Sequence, residues 1–174
     1  MADSVRDDDA QGGLTEQEKR NNVIRLAFGG RAEQFERFCR VLQEFVPPGT
    51  MAILRGSAIT GRRWKDEAPF DADGPCTSDL DVTLVGDAGL LYFEAFGFFL
   101  PGIHSRPLSD DDPDIAPELV PLRRQLMEMV GRPVNIQASR DIVTRVRGDL
   151  LGQPYLTLFT KPDGLCLSGP AEPE

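Results

Sequence analysis

The chain has 174 residues and a mass of 19.2 kDa, enough for one domain with a real core and too little for two of ordinary size. With 28 Asp and Glu against 19 Lys and Arg, its net charge of -9 speaks against broad electrostatic coating of nucleic acid or of an anionic membrane. The acidity is local: it is accounted for by the first twenty residues, the cluster Asp110, Asp111, Asp112 and Asp114, and Glu172 with Glu174. Cys39, Cys76 and Cys166 are an odd number without C-x-x-C spacing, the pattern of reduced thiols and not of a disulfide framework or zinc site. The opening residues carry no apolar leader, and no stretch approaches the roughly 18 apolar residues of a membrane helix. The expectation is a soluble, cytoplasmic protein with no membrane association.

Residues 1–13 are acidic and lack apolar periodicity, so a flexible tail is expected there, followed by one domain over 14–165 and a second flexible tail over 166–174. Thr15 and Glu18 have capping-box spacing before a first helix that Gly29 and Gly30 stop. From Arg31 to Val46 the apolar residues fall at helical spacing, ending at Pro47 and Pro48. The period then changes: 51–55 reads as a strand, and Leu80, Val82 and Leu84 alternate with Asp79, Asp81 and Thr83 as another. Leu90 to Phe99 predicts a buried helix that breaks up near Gly97, with a Pro- and Asp-rich loop through Pro117. Leu119, Leu122, Leu126, Met129 and Val130 line one side of a further helix stopped at Gly131. The alternation at 134–137 predicts a strand, Ser139 and Asp141 offer caps for a helix with Ile142, Val143, Val146 and Leu150, and 155–160 alternates again. Helices alternating with strands predict an α/β (α+β) fold, a small mixed β-sheet flanked by helices.

The chemistry concentrates in two segments. In a strand, side chains two residues apart share a face, so Asp79 and Asp81 point one way while Leu80 and Val82 bury the other. Their α-carbons lie roughly 6.6 Å apart, close enough for both carboxylates to converge on one divalent cation. Two adjacent acids on a half-buried strand repel unless a cation or hydrogen-bond donors compensate, and Mg²⁺, an oxygen-seeking ion often shared between carboxylates and phosphates, suits them. At Gly56-Ser57 a strand ends in a residue that lets backbone approach a ligand closely, followed by a hydroxyl and the free amides of a helix start. Arg62, Arg63 and Lys65 lie just beyond, where they either meet a polyphosphate or are ordinary solvated surface.

A strand ending in Gly56-Ser57 and followed by the strand Asp79-Leu80-Asp81 resembles the nucleotidyltransferase superfamily of DNA polymerase β type, in particular its small stand-alone bacterial members. The longer strings Gly-Ser-Ala-x-x-Gly and Thr-Ser-Asp-Leu-Asp-Val are similar to that family's motifs, and the order of elements from 31–46 to 133–137 fits its minimal core. The resemblance implies transfer of a nucleoside monophosphate from an NTP to an acceptor (a protein, a small molecule or RNA). It also implies Mg²⁺, as one ion or two, on Asp79 and Asp81, the triphosphate at Gly56, Ser57 and Arg62, and a partner protein or second subunit beside the small core. Two departures accompany it. Residues 64–76 read as an inserted loop, and the strand position where the family usually has a third carboxylate, often the base toward the acceptor hydroxyl, holds Asn135. An amide offers a neutral oxygen but accepts no proton at neutral pH. A catalytically impaired relative that binds nucleotide or a partner protein is therefore an alternative. A non-nucleotide interaction domain is the second, using a Phe-rich face with the aspartates merely structural.

Elsewhere the plain readings prevail. His104, in a Pro/Gly loop, reads as a surface residue; Cys76 as an incidental loop thiol; the acids at 110–114 as a solvated loop; Phe93, Phe96, Phe98 and Phe99 as core; and Arg123, Arg124 and Arg132 as surface charges.

Overall fold

The computed structural model describes residues 13–164, so the tails expected at 1–13 and 166–174 lie, apart from Gly13, outside the described residues. Helix α1 (Glu16–Ala27) starts on the expected capping box: Thr15 Oγ1 accepts the Glu18 N–H at 3.2 Å, and the Glu18 carboxylate accepts the Thr15 N–H at 2.8 Å. Gly29 and Gly30, both at positive φ, end it and lead into α2 (Ala32–Phe45). Phe28, Phe35 and Phe38 clamp the two helices together edge to face, at centroid distances of 5.4 and 5.5 Å.

Strand β1 (Met51–Arg55) runs through Gly56 into the single turn α3 (Ser57–Thr60). After the loop come β2 (Leu80–Val85), the turn α4 (Asp87–Leu90), and the short edge strands β3 (Phe98–Leu100) and β4 (His104–Ser105). Then follow α5 (Val120–Val130), ended by left-handed Gly131, and β5 (Val134–Ser139). Helix α6 (Asp141–Arg145) is continued by a π-helical turn over Val146–Leu150, and β6 (Leu156–Thr160) is the last element among the described residues.

The fold is mixed α/β: one six-stranded sheet in the order β3-β4-β5-β2-β1-β6, flanked by helices. β2 and β5 are parallel, and the other pairs are antiparallel. The parallel pair needs a crossover, which α5 supplies. One face of the sheet, with Leu54, Leu80, Val82, Leu84, Val134 and Ile136, packs on Val23, Phe28, Phe35, Phe38, Leu42, Leu122 and Leu126, all buried. Each such side chain contributes about 1.5–3 kcal/mol by leaving water. The opposite face carries Arg55, Asp81, Thr83, Asn135 and Gln137, a polar row at the ends of β1 and β2 with Ile53 and Val85 buried further along it. Among the described residues no helix is long and apolar enough to cross a membrane.

Several expectations are corrected. The segment 90–99 is not a buried helix: the chain turns at Leu90, passes a 3₁₀ turn over Ala95–Gly97 and enters β3. Gly97 packs so closely on Ile115 that a Cβ there would lie 2.9 Å from it, and the Pro101-Gly102 turn folds β3 back on β4. Phe93 is buried, but Phe96 and Phe99 are exposed. The helix after β5 has no side-chain cap. Arg140 occupies the cap position, Asp141 pairs with Arg145 at 2.6 Å, and Ile142, Val146 and Leu150 face solvent. Arg123 is not a free surface charge, because its Nε donates to the Val134 carbonyl at 2.7 Å and its Nη2 to Asp110 at 2.9 Å. The acids at 110–114 are accordingly tied down in part, with Asp112 held by Arg106.

Arg132 is the largest correction. Its guanidinium is buried, forks onto Asp71 at 3.0 and 3.2 Å, donates to the Ser78 carbonyl at 2.9 Å and lies 4.6 Å over the Phe70 ring. Asp71 in turn accepts the N–H groups of Ser78 and Cys76 at 2.9 and 3.2 Å, which fixes the middle of the loop to the start of β2. Burial works to raise the Asp71 pKa, but the Arg132 hydrogen bond and these backbone donors outweigh it and the net shift is downward. A carboxylate with a depressed pKa lends stability above its unfolded value that disappears as the pH falls. Asp71→Ala strands the buried guanidinium and is expected to cost about 3–5 kcal/mol at pH 7 in urea denaturation, with the gap to the parent narrowing in acid.

Candidate functional site

On the polar face of the sheet opens a cleft of about 780 Å³, floored by the ends of β1 and β2 and walled by the 62–65 loop, β4 and the segment 147–154. The register of the sheet places its acids. β2 runs parallel to β5 with Asp81 directly opposite Asn135, and antiparallel to β1 with Asp81 opposite Arg55. Directly opposed residues share a face, so Asp81, Asn135 and Arg55 stand side by side, and Asp79, just before β2, joins them.

Asn135 bridges the two acids. Its Nδ2 donates to Asp79 Oδ2 at 2.6 Å and to Asp81 Oδ1 at 3.1 Å. The amide thus relieves part of the repulsion between the carboxylates. Burial, and next the charge of Asp79, still push the Asp81 pKa up to about 6, against the downward pull of the Asn135 hydrogen bond and of Arg147.

Gly56 is required at its position. Its φ of 89° suits glycine alone, and a Cβ would stand 3.1 Å from Asp81 Oδ2. Ser57 is buried beneath the cleft, and the first amides of α3 have no partner within the helix. Gly56, Ser57, Asp79 and Asp81 therefore meet at one place. Arg62 also lines the cleft, on the exposed loop, with its Nη1 on the Glu67 carbonyl at 3.2 Å. Arg63 is neutralised by Asp73 at 2.9 Å, whereas Lys65 and the exposed ring of Trp64 face the cleft mouth.

His104 is not the surface residue expected from its Pro/Gly surroundings. It lies half-buried on β4, 3.2 Å from Gln137 Nε2 and stacked at 6.0 Å on Phe99. Burial, then the charges of Arg147 and Arg55, lower its pKa and keep the ring neutral at pH 7. Cys76 is an exposed loop thiol, as expected. The sequence reading did not single out four cleft residues, Arg55, Gln137, Arg147 and Gln153. Arg55 had a signal, a charge ending an apolar strand. Arg147 and Gln153 had none, because only the π-helical turn brings them over the sheet.

Comparison with protein-family models, curated proteins and solved structures finds no significant match for this chain. Among the described residues no three His, Cys, Asp or Glu side chains gather as a metal shell, the third neighbour of the aspartates being the Asn135 amide.

Because folding raises the Asp81 pKa, the protonated form stabilises the fold below about pH 4, and that contribution is lost as the pH rises through about 6. Without added cations, Asp81→Asn is expected to match the parent in urea denaturation near pH 4 and to exceed it at pH 7, by on the order of 2 kcal/mol.

Proposed function

We propose that this chain is a nucleotidyltransferase of the DNA polymerase β type, moving a nucleoside monophosphate from an NTP to an acceptor. The observation that carries the reading is the convergence of Gly56-Ser57 with Asp79 and Asp81 in one cleft, with a third strand position, Asn135, in register beside them. Two carboxylates and a side-chain amide, whose oxygen turns inward by rotation of the amide, form a hard oxygen donor set that fits Mg²⁺. Held there, Mg²⁺ would supply positive charge to the phosphate oxygens and to the leaving pyrophosphate.

The chain's own residues bind and orient. The Gly56 conformation brings backbone up to the phosphates without a side chain in the way, and the Ser57 hydroxyl and the free amides of α3 donate to their oxygens. Arg62 and Lys65 add positive charge at the rim, and Trp64 offers a planar face to the nucleobase. Asn135 accepts no proton, so the acceptor hydroxyl must lose its proton to another group.

A second reading has a specific observation in its favour. The Asn135 amide already occupies both carboxylates, which suits a relative that binds nucleotide without transferring it.

Melting curves and label transfer separate these readings. An NTP with Mg²⁺ at 100 times its Kd adds about 2.7 kcal/mol, which in a chain of this size raises Tm by about 5–10 °C. Asp79→Asn combined with Asp81→Asn abolishes the shift, and a parent that shows no shift with any NTP overturns both readings. Label from the α-phosphate that reaches an acceptor in lysate identifies transfer. Asn135→Asp is expected to raise that transfer at least tenfold while lowering the metal-free Tm, because a third carboxylate then joins two that already repel.

A further inference from the structure

Two arginines in the cleft have no carboxylate partner among the described residues. Arg55 is only 5 % exposed, and its Nε finds no hydrogen-bond acceptor. Its Nη atoms reach the carbonyls of Gln153 and Thr144 only at 3.5 Å, while the Tyr155 ring lies 5.2 Å beneath. Arg147 binds the neutral Gln153 side chain at 2.8 Å through Nε. Asp81, opposite Arg55 on the next strand, forms no ion pair with either. Both guanidiniums thus reach Gln153, Arg55 its carbonyl and Arg147 its side chain, and burial with the Arg147 charge brings the Arg55 pKa down to about 10.

Placing the buried Arg55 beside a second, half-buried cation is costly unless an anion joins them, since a buried charge loses several kcal/mol of hydration. The cleft gives that anion access, because both arginines line it. The pair is separate from the basic residues placed at the triphosphate: Arg62 and Lys65 belong to the loop after α3, whereas Arg55 and Arg147 are held by the segment 144–155 across the cleft.

We propose that Arg55 and Arg147 form an oxyanion subsite that holds a phosphate or carboxylate group of the acceptor. Guanidinium forks bind both groups in bidentate fashion, and such an anchor would set an acceptor hydroxyl beside Asp79 and Asp81. The acceptor is accordingly an anionic molecule and not a neutral or cationic one. The word acceptor rests on the nucleotidyl-transfer reading; the oxyanion subsite does not.

Calorimetric titrations at fixed ionic strength, with Mg²⁺ and saturating α,β-methylene-ATP present, test the subsite with inorganic phosphate in one arm and malonate in the other. The arm with the tighter binding tells phosphate from carboxylate. Arg147→Gln, on an exposed turn, is expected to weaken binding of the preferred anion by about 10–100-fold, the loss of one charge-assisted contact, while nucleotide affinity changes less than about twofold. Arg55→Gln should act in the same direction, and Arg147→Gln alone decides should the buried variant not fold. The proposal is overturned if the nucleotide-loaded parent binds neither anion, or if Arg147→Gln weakens nucleotide as much as anion, which would assign the arginines to the triphosphate. Arg147-dependent anion binding in a chain that binds no nucleotide would overturn the acceptor role and the function above, and would leave a bare oxyanion site.

Discussion

The register between β2 and β5 is the constraint on which the site depends. Side chains alternate faces with a period of two, so a one-residue slip would send Asp81 into the core and Leu80 and Val82 into the cleft. Two things prevent it. Leu80, Val82 and Leu84 are each fully buried against the helices, and the parallel ladder is bridged by α5, whose own stripe packs on the same core. The hydrophobic pattern that folds the sheet is thus what aligns Asp81, Asn135 and Arg55 in a row.

That row is electrically unusual for an acidic chain. The bulk charge of -9 belongs to the termini and one loop, and part of that loop is neutralised by Arg106 and Arg123. Inside the cleft the balance differs from place to place. The aspartates are crowded enough that one holds its proton to about pH 6, and beside them two guanidiniums meet at Gln153 with no carboxylate partner among the described residues. Asp81 and Arg55 face each other across neighbouring strands and yet form no ion pair, because neutral neighbours engage them, Asn135 on one side and Gln153 on the other. Charges held apart in this way stay available to a ligand.

The sequence made the main elements legible wherever a local rule governed them. The Thr15 box, the α2 stripe ending at Pro47, the β2 alternation and the Gly131 stop all depend on near neighbours, and the structure has each of them. The position of Asn135 beside the aspartates comes from the resemblance to the nucleotidyltransferase core, with the alternation at 134–137 marking the strand, and the register sets it opposite Asp81. What the sequence did not reveal depends on distant partners. Four phenylalanines between 93 and 99 promised burial, but a tight contact between Gly97 and Ile115 turned the chain into an edge hairpin and left Phe96 and Phe99 outside. Arg132 looked like any helix-end arginine until Asp71, sixty-one positions away, closed on it. The Pro and Gly that flank His104 predict a surface position, whereas its burial comes from Gln137 and Phe99.

The Asp71 anchorage has a consequence for how this chain can vary. A connection of this length between Ser57 and Asp79 would ordinarily transmit any change along its whole span, and lengthening a free loop costs only about 0.6 kcal/mol per doubling. Pinned at its centre to Arg132 and Ser78, it behaves as two short spans, joined to each other at the Arg63–Asp73 ion pair. The exposed side chains of Trp64 and Lys65 in the first are open to exchange and so to a different ligand or mouth shape. The Asp71 anchor keeps such exchanges from displacing Asp79.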